Sequence, residues 1–419
     1  MESTSETQSP RLSNKGTNDS EWEYVHLKEV LEETGGGVSV NGEDRPARDD
    51  EIGVLKVSCV KEGRFIPSEN KAVLPSDLSR VQGKFEIGDI LVSRANTPEL
   101  VGACGYVSSN HSNLYLSDKI WRFRPKTRKR DDAKYLTYIL ASDDIRIELT
   151  NRATGTSKSM KNISKGAFLG IKILRPPFTE QLKIAEILST WDDGIKLLNS
   201  RIAEKLDFKN GLYQHFLSDC RVDESGRRSE EFKIYRLGDL FDERVETSRG
   251  DLRLLSITNN RGVIPRDDLV KRDTSNPDKT KYLRICPGDL GYNTMRMWQG
   301  VSALSRLEGI VSPAYTICIP KSGLIDGQFA AHLFKYTPMI HLFKRHSQGL
   351  VDDTLGLKFD VFKTIKICIP GLSEQKRIAE VLNLVDLELS VLHGYLELLK
   401  KEKQVLMQKL LTGKIRVKV

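Results

Sequence analysis

Apolar residues in two stretches of this chain step alternately by four and three positions. In the first they fall at Ile184, Leu188, Trp191, Ile195, Leu198 and Ile202, then after a gap at Leu212 and Phe216. In the second they fall at Ile378, Leu382, Val385, Leu389, Leu392, Leu396, Leu399, Leu406 and Leu410. This is the seam of helices that pack along their length. A helix of roughly 39 residues is about 58 Å long, more than a compact domain spans, so each stretch predicts a spacer helix. The stretches are also copies: Glu180-Gln181 with Ile184-Ala185-Glu186 returns as Glu374-Gln375 with Ile378-Ala379-Glu380, an offset of 194 residues.

Elsewhere the pattern alternates with a period of two between Gly, Pro, Asn and Asp breaks. It predicts strands at Gly53–Val57, Gly88–Ser93, Ala103–Val107, Ile120–Arg124 and Ile171–Leu174, with a helix near Lys134–Leu149. A second set follows at Leu252–Thr258, Gly288–Tyr292, Tyr315–Ile319 and Ile365–Ile369, with a helix from Gly327 to Tyr336. Val54–Ser58 and Ile87–Ile90 recur 200 positions later, and Phe168, Ile171, Ile173 and Pro176 recur 194 positions later. The chain therefore reads as a duplication of globule plus long helix. The middles differ: Ser93–Gly102 has no counterpart in Asn293–Gly300, as two independent readers on one frame would require.

Composition narrows the function. Lys and Arg number 65 against 57 Asp and Glu in 419 residues, an excess that suits a polyanionic partner. Six cysteines without a C-x-x-C pair suggest a reduced, cytoplasmic protein with no zinc site. The opening Met-Glu-Ser-Thr-Ser-Glu has neither a basic nor an apolar leader region and no apolar run reaches membrane length, so neither secretion nor membrane insertion is expected. Phosphate loops, dinucleotide fingerprints, H-E-x-x-H and G-x-S-x-G are all missing. Arg175-Pro176-Pro177-Phe178 has the outline of an amino-methyltransferase motif, but an Arg at its head cannot accept the amino group's hydrogen bond, so it reads as an extended link into the helix. The adjacent carboxylates Asp131-Asp132, Asp143-Asp144 and Asp352-Asp353 read as solvated surface rather than a metal site.

The doubled Glu-Gln-x-x-Ile-Ala-Glu helix starts resemble those of the specificity (S) subunits of type I restriction-modification systems, the HsdS family. Gly88–Asn96, Leu116–Trp121, Ala153–Thr156 and Gly309–Tyr315 add to the resemblance, which covers residues 21–414. It implies an α+β fold: two similar mixed α/β target recognition domains separated by two long antiparallel coiled-coil helices in a pseudo-two-fold duplication. The expected division is a disordered tail 1–20, target recognition domain 21–178, central spacer helix 179–220, linker 221–229, second target recognition domain 230–370, C-terminal spacer helix 371–414 and tail 415–419. The implied function is non-catalytic reading of a bipartite site in double-stranded DNA, bringing methyltransferase (M) and restriction (R) subunits to it. S-adenosylmethionine, ATP and Mg²⁺ would belong to those partners. A stand-alone DNA-binding scaffold or regulator without partner enzymes is the alternative, separable by co-purification.

Base reading needs side chains that place donors and acceptors on base edges, with basic groups for phosphates. Candidates are Arg94, Asn96 and Thr97 with Thr154 and Thr156 in the first domain, and Asn293, Arg296, Trp298 and Gln299 in the second. Alignment of the spacers is expected from Lys209 and Lys403, equivalent at offset 194. Antiparallel packing sets Lys209 opposite Val385 and Lys403 opposite Trp191, within reach of Asp386 and Asp192, whereas parallel packing would oppose two like charges.

Overall fold

The computed structural model describes residues 21–155, 160–217, 232–247, 251–269, 278–349 and 354–419. The expected tail 1–20, linker 221–229, Thr156, Cys220 and Asp352-Asp353 lie outside them. The chain forms two compact units: one runs through Leu197 and adds Leu396–Val419, and the other is Leu198–Tyr395. Each unit thus holds one globule and about half of each long helix, Phe178–Leu217 and Leu372–Leu411.

In unit 1 a six-stranded sheet runs in the order Leu31–Gly36, Ile120–Pro125, Ile90–Ser93, Cys104–Tyr106, Gly63–Phe65, Val60–Lys61. Its neighbours are antiparallel except Cys104–Tyr106 with Gly63–Phe65. Leu91, Ala103 and Ile120 on one side of it share a core with Leu55 and Leu114, from a four-stranded sheet. The opposite side packs Ile90, Val92 and Phe123 against Tyr135, Phe168 and the ends of both long helices, through Ile184, Leu188 and Leu410. The helices are therefore built into the globule's core.

Unit 2 repeats the plan with a four-stranded sheet: Phe241–Glu243, Tyr315–Pro320, Leu290–Asn293, Ser302–Leu304. Phe241, Phe329, Phe334 and Phe362 fill its core together with Tyr213, Ile378 and Leu382 of the long helices. In both units the first and last strands pair just before a long helix begins: Glu23–His26 with Lys172–Arg175, and Phe232–Arg236 with Lys366–Pro370.

Several boundaries shift for local reasons. Strands expected from Gly88 and Gly288 begin at Ile90 and Leu290, because these glycines take φ +92° and +91° in a turn. Asp89 and Asp289 close that turn, each accepting the backbone N–H three residues earlier at 2.7 Å. Arg124 and Arg244 satisfy these buried carboxylates. The helix expected near Lys134–Leu149 is two helices, Ala133–Ala141 and Asp143–Arg152. Ser142 is extended and its Oγ donates to Ile139 O at 2.7 Å, while Asp143 and Asp144 open the next turn, where acidic residues favour a helix N-terminus.

Two expectations need correction. Asp131 is buried, 3.6 Å from Arg175, with its pKa raised by burial, and the adjacent Asp132 accepts from Tyr135 N at 2.8 Å as a helix cap; this pair is not solvated surface. Among the described cysteines Cys59, Cys104, Cys286 and Cys318 are free, but Cys368 is disulfide-bonded, contrary to the all-thiol expectation.

Candidate nucleic-acid interface

In unit 1 the sheet strand Ile90–Ser93 runs directly into the first candidate loop. Ala95–Asn96 leaves that sheet to pair with Lys161–Asn162, and Thr154 exchanges backbone bonds with Asn162 at 2.7 and 2.8 Å. Arg94, Asn96, Thr97 and Thr154, distant in sequence, are thereby gathered. Their exposure differs. Thr97 and Thr154 are exposed, and Arg94 is 42% exposed with its Nε donating to Asp118 O at 2.8 Å. Asn96 is buried: its amide donates to Val57 O and Ser93 Oγ at 3.3 Å, and its oxygen accepts from Thr97 N at 2.9 Å. The expectation that Asn96 meets a base is replaced by a role inside the loop. Arg146, unmarked by sequence reasoning, holds the loop's far end by donating to Val101 O and Glu99 O at 2.8 Å. Lys161 and exposed Asn162 join the surface, and no pattern in the sequence pointed to them.

In unit 2 the equivalent strand, Leu290–Asn293, ends in a turn built differently. Asn293 Oδ1 accepts from Met295 N at 3.0 Å, so that side chain shapes the turn. A 3-10 turn at Met297–Gln299 buries Met297 and leaves Arg296 and Gln299 exposed. Trp298 is half-buried, its Nε1 donates to Met295 O at 3.1 Å, and Lys344 Nζ lies 5.0 Å above its ring. Gly300 at φ +73° ends the turn where a Cβ would stand 2.8 Å from Ile340, so glycine is required there.

The long helices enter both units antiparallel to each other, as their contacts show: Lys205 meets Glu388 and Lys209 meets Asp386 in unit 2, while Asp192 meets Lys403 and Glu180 meets Arg416 in unit 1. Lys403 Nζ donates to Asp192 Oδ1 at 2.7 Å, and Lys209 donates to Asp386. Trp191, beside Asp192, is only half-buried. Each helix start is pinned by its buried Gln. Gln181 donates to Pro176 O at 2.9 Å and Arg130 O at 3.0 Å and accepts from Asp132 N at 2.9 Å. Gln375 does the same with Pro370 O, Leu324 O and Asp326 N at 2.9, 3.1 and 2.9 Å. Asp132 and Asp326 in turn cap the first helix of each globule's helical pair.

A family model described as type I restriction modification DNA specificity domain matches residues 19–207. The type I restriction enzyme MjaVIII specificity subunit of Methanocaldococcus jannaschii is 29% identical over 337 residues, 72% of this chain and 75% of that one. The EcoEI specificity subunit of Escherichia coli is 33% identical over 187 residues, 43% of this chain and 30% of that one. The chain carries the type I DNA specificity domain over residues 19–207. Its fold is that of a solved relative: the S subunit of a type I system from M. genitalium superposes with a TM-score of 0.56 over 95% of this chain and 98% of that one, at 16% identity. Within this frame the loops after the two equivalent strands expose different residues: Thr97 after the first, Arg296 and Gln299 after the second.

Proposed function

We propose that this specificity subunit reads a split site in double-stranded DNA, one part by each unit, and carries methyltransferase and restriction subunits to it without doing chemistry itself. The observation that carries the reading is the pair of loops on one repeated frame. After Ile90–Ser93 the chain builds a paired strand that leaves Thr97 and Thr154 exposed, with Arg94 leaning on Asp118. After Leu290–Asn293 it builds a 3-10 turn that exposes Arg296 and Gln299. Arg, Gln and Thr are side chains that discriminate base edges, while the excess of basic residues supplies affinity for phosphates. The repeated Lys–Asp pairs and buried Gln clamps fix how each globule joins the helices, so recognition can diverge without disturbing the frame. Adenine methylation and DNA cleavage, with their S-adenosylmethionine, ATP and Mg²⁺, belong to the partner chains.

The test is a domain exchange. Replacing residues 230–370 with the equivalent domain of another specificity subunit is expected to change one half of the methylated target and leave the other half as it was. If both halves change, the units do not read independently.

A further inference from the structure

Lys335 lies in the short link between helices Gly327–Leu333 and Thr337–His346, and its ammonium joins two loops that are far apart in sequence. It donates to Asn259 Oδ1 at 2.6 Å, to Asn259 O at 3.2 Å and to Gly300 O at 2.7 Å. An ammonium has three donors, and all three are used on neutral oxygens. Burial, reinforced by the positive charge of Lys209, pushes its pKa down to about 8. A cation held this way costs solvation, and what it returns is geometry: Gly300 closes the Arg296–Gln299 turn, and Asn259 opens the tip of the ribbon Leu255–Thr258/Gly262–Pro265.

That tip is Asn259-Asn260-Arg261, all exposed. It is shaped from within: Thr258 Oγ1 donates to Gly262 O at 2.8 Å and accepts from Arg261 N at 3.0 Å, and Gly262 takes φ +71°. Arg261 Nη1 donates to Asp268 O at 3.2 Å, which steadies its stem. The ribbon's root is seated by a missing side chain. A Cβ on Gly291 would stand 2.3 Å from Ile257 Cδ1, so glycine at position 291 lets Ile257 of the ribbon seat over strand Leu290–Asn293 without moving aside. Two hundred residues earlier that position is Leu91, which is buried in unit 1's own core.

We infer that the Asn259–Arg261 tip is a second base-reading element of unit 2, and that Lys335 is the positioning residue that holds it and the Arg296–Gln299 turn as one surface. A two-stranded ribbon fits the DNA major groove, and Asn and Arg make the bidentate contacts that distinguish adenine and guanine there. This inference rests on the proposed DNA-reading function and names further residues that perform it.

The full chain, wild type and variant, is used to select sequences from a pool of randomised duplexes, followed by competition binding on the selected site. Asn260→Ala and Arg261→Ala, at an exposed tip where folding is not at issue, are expected to relax base preference within the half of the target that Arg296→Ala also relaxes. Each should lower the ratio of selected-site to random binding about tenfold. Lys335→Met is expected to relax the positions read by both elements while the other half-site keeps its sequence. If Arg296→Ala alters the selected half-site but the tip variants do not, the second reading element is refuted and the DNA-reading function stands. If none of these variants alters selection, the assignment of reading to unit 2 fails together with the inference.

Discussion

Replacing Gln181 with Met keeps the length and bulk of the side chain and removes the polar atoms by which that side chain holds the first long helix to its globule. Three hydrogen bonds disappear at a fully buried position: two donated to Pro176 O and Arg130 O, and one accepted from Asp132 N. Each such bond contributes about 1 kcal/mol net, and more where the abandoned partner cannot reach water. The expected loss is therefore about 3 kcal/mol. For a unit of this size that is a fall of roughly 6–12 °C in the melting temperature. Urea and thermal unfolding of the full chain, followed by circular dichroism, measure it. Gln375→Met should cost a similar amount in unit 2, because its three partners are the same groups in the second copy. A loss below about 1 kcal/mol for either variant would refute the claim that the repeated Gln anchors the helix through its amide.

Further outcomes follow from the helix junctions. His332 is buried, facing Tyr213, Asn383, Asp386 and Lys209, and burial lowers its pKa below the usual 6.5, so the folded chain holds it neutral while the unfolded chain takes up a proton. Its contribution is complete above about pH 6.5 and is lost as pH falls through the lower folded value. Urea titrations from pH 7 to 5 should therefore show an acid-side loss that His332→Tyr, which copies Tyr138 of unit 1, reduces; an unchanged slope would count against the reasoning. Asp192→Asn should cost at most about 1 kcal/mol, since both partners of Lys403–Asp192 keep some solvent contact. Asp192→Lys with Lys403→Asp should recover most of what Asp192→Lys alone loses, and no recovery would show that the pairing is incidental.

The long helices were legible because a buried seam writes its period directly into the chain. Ile184, Leu188, Ile195, Ile378, Leu382, Val385 and Leu389 are all buried, and their 4–3 spacing is the geometry of the contact. The strands were legible by alternation, and their starts were misjudged where a Gly-Asp turn carries apolar neighbours. Less legible was the direction in which a polar loop residue points. Asn96 and Thr97 are adjacent and equally plausible as base readers, yet one is buried in a network with Ser93 and Val57 and the other is exposed. Lys335 gave no signal at all, because its meaning comes from a contact with Asn259 across 76 residues. Local pattern carries no information about such a contact.

The duplication itself sorts these cases. Where both copies keep a residue, the structure shows the same buried problem solved twice: Asp89 and Asp289 close a turn and receive an arginine, Asp132 and Asp326 cap a helix, and Gln181 and Gln375 clamp a helix start. A buried polar group has few solutions, because each of its donors and acceptors must find a partner, and so its identity persists in the frame. Where the copies differ, the frame is free to build something else. Leu91 fills a core and Gly291 admits a ribbon; Asn96 is folded inward, while Arg296, two hundred residues later on the same strand exit, is exposed. Equivalent backbone positions therefore expose different chemistry. On the proposed function, that is how one frame holds two readers whose preferences are set separately.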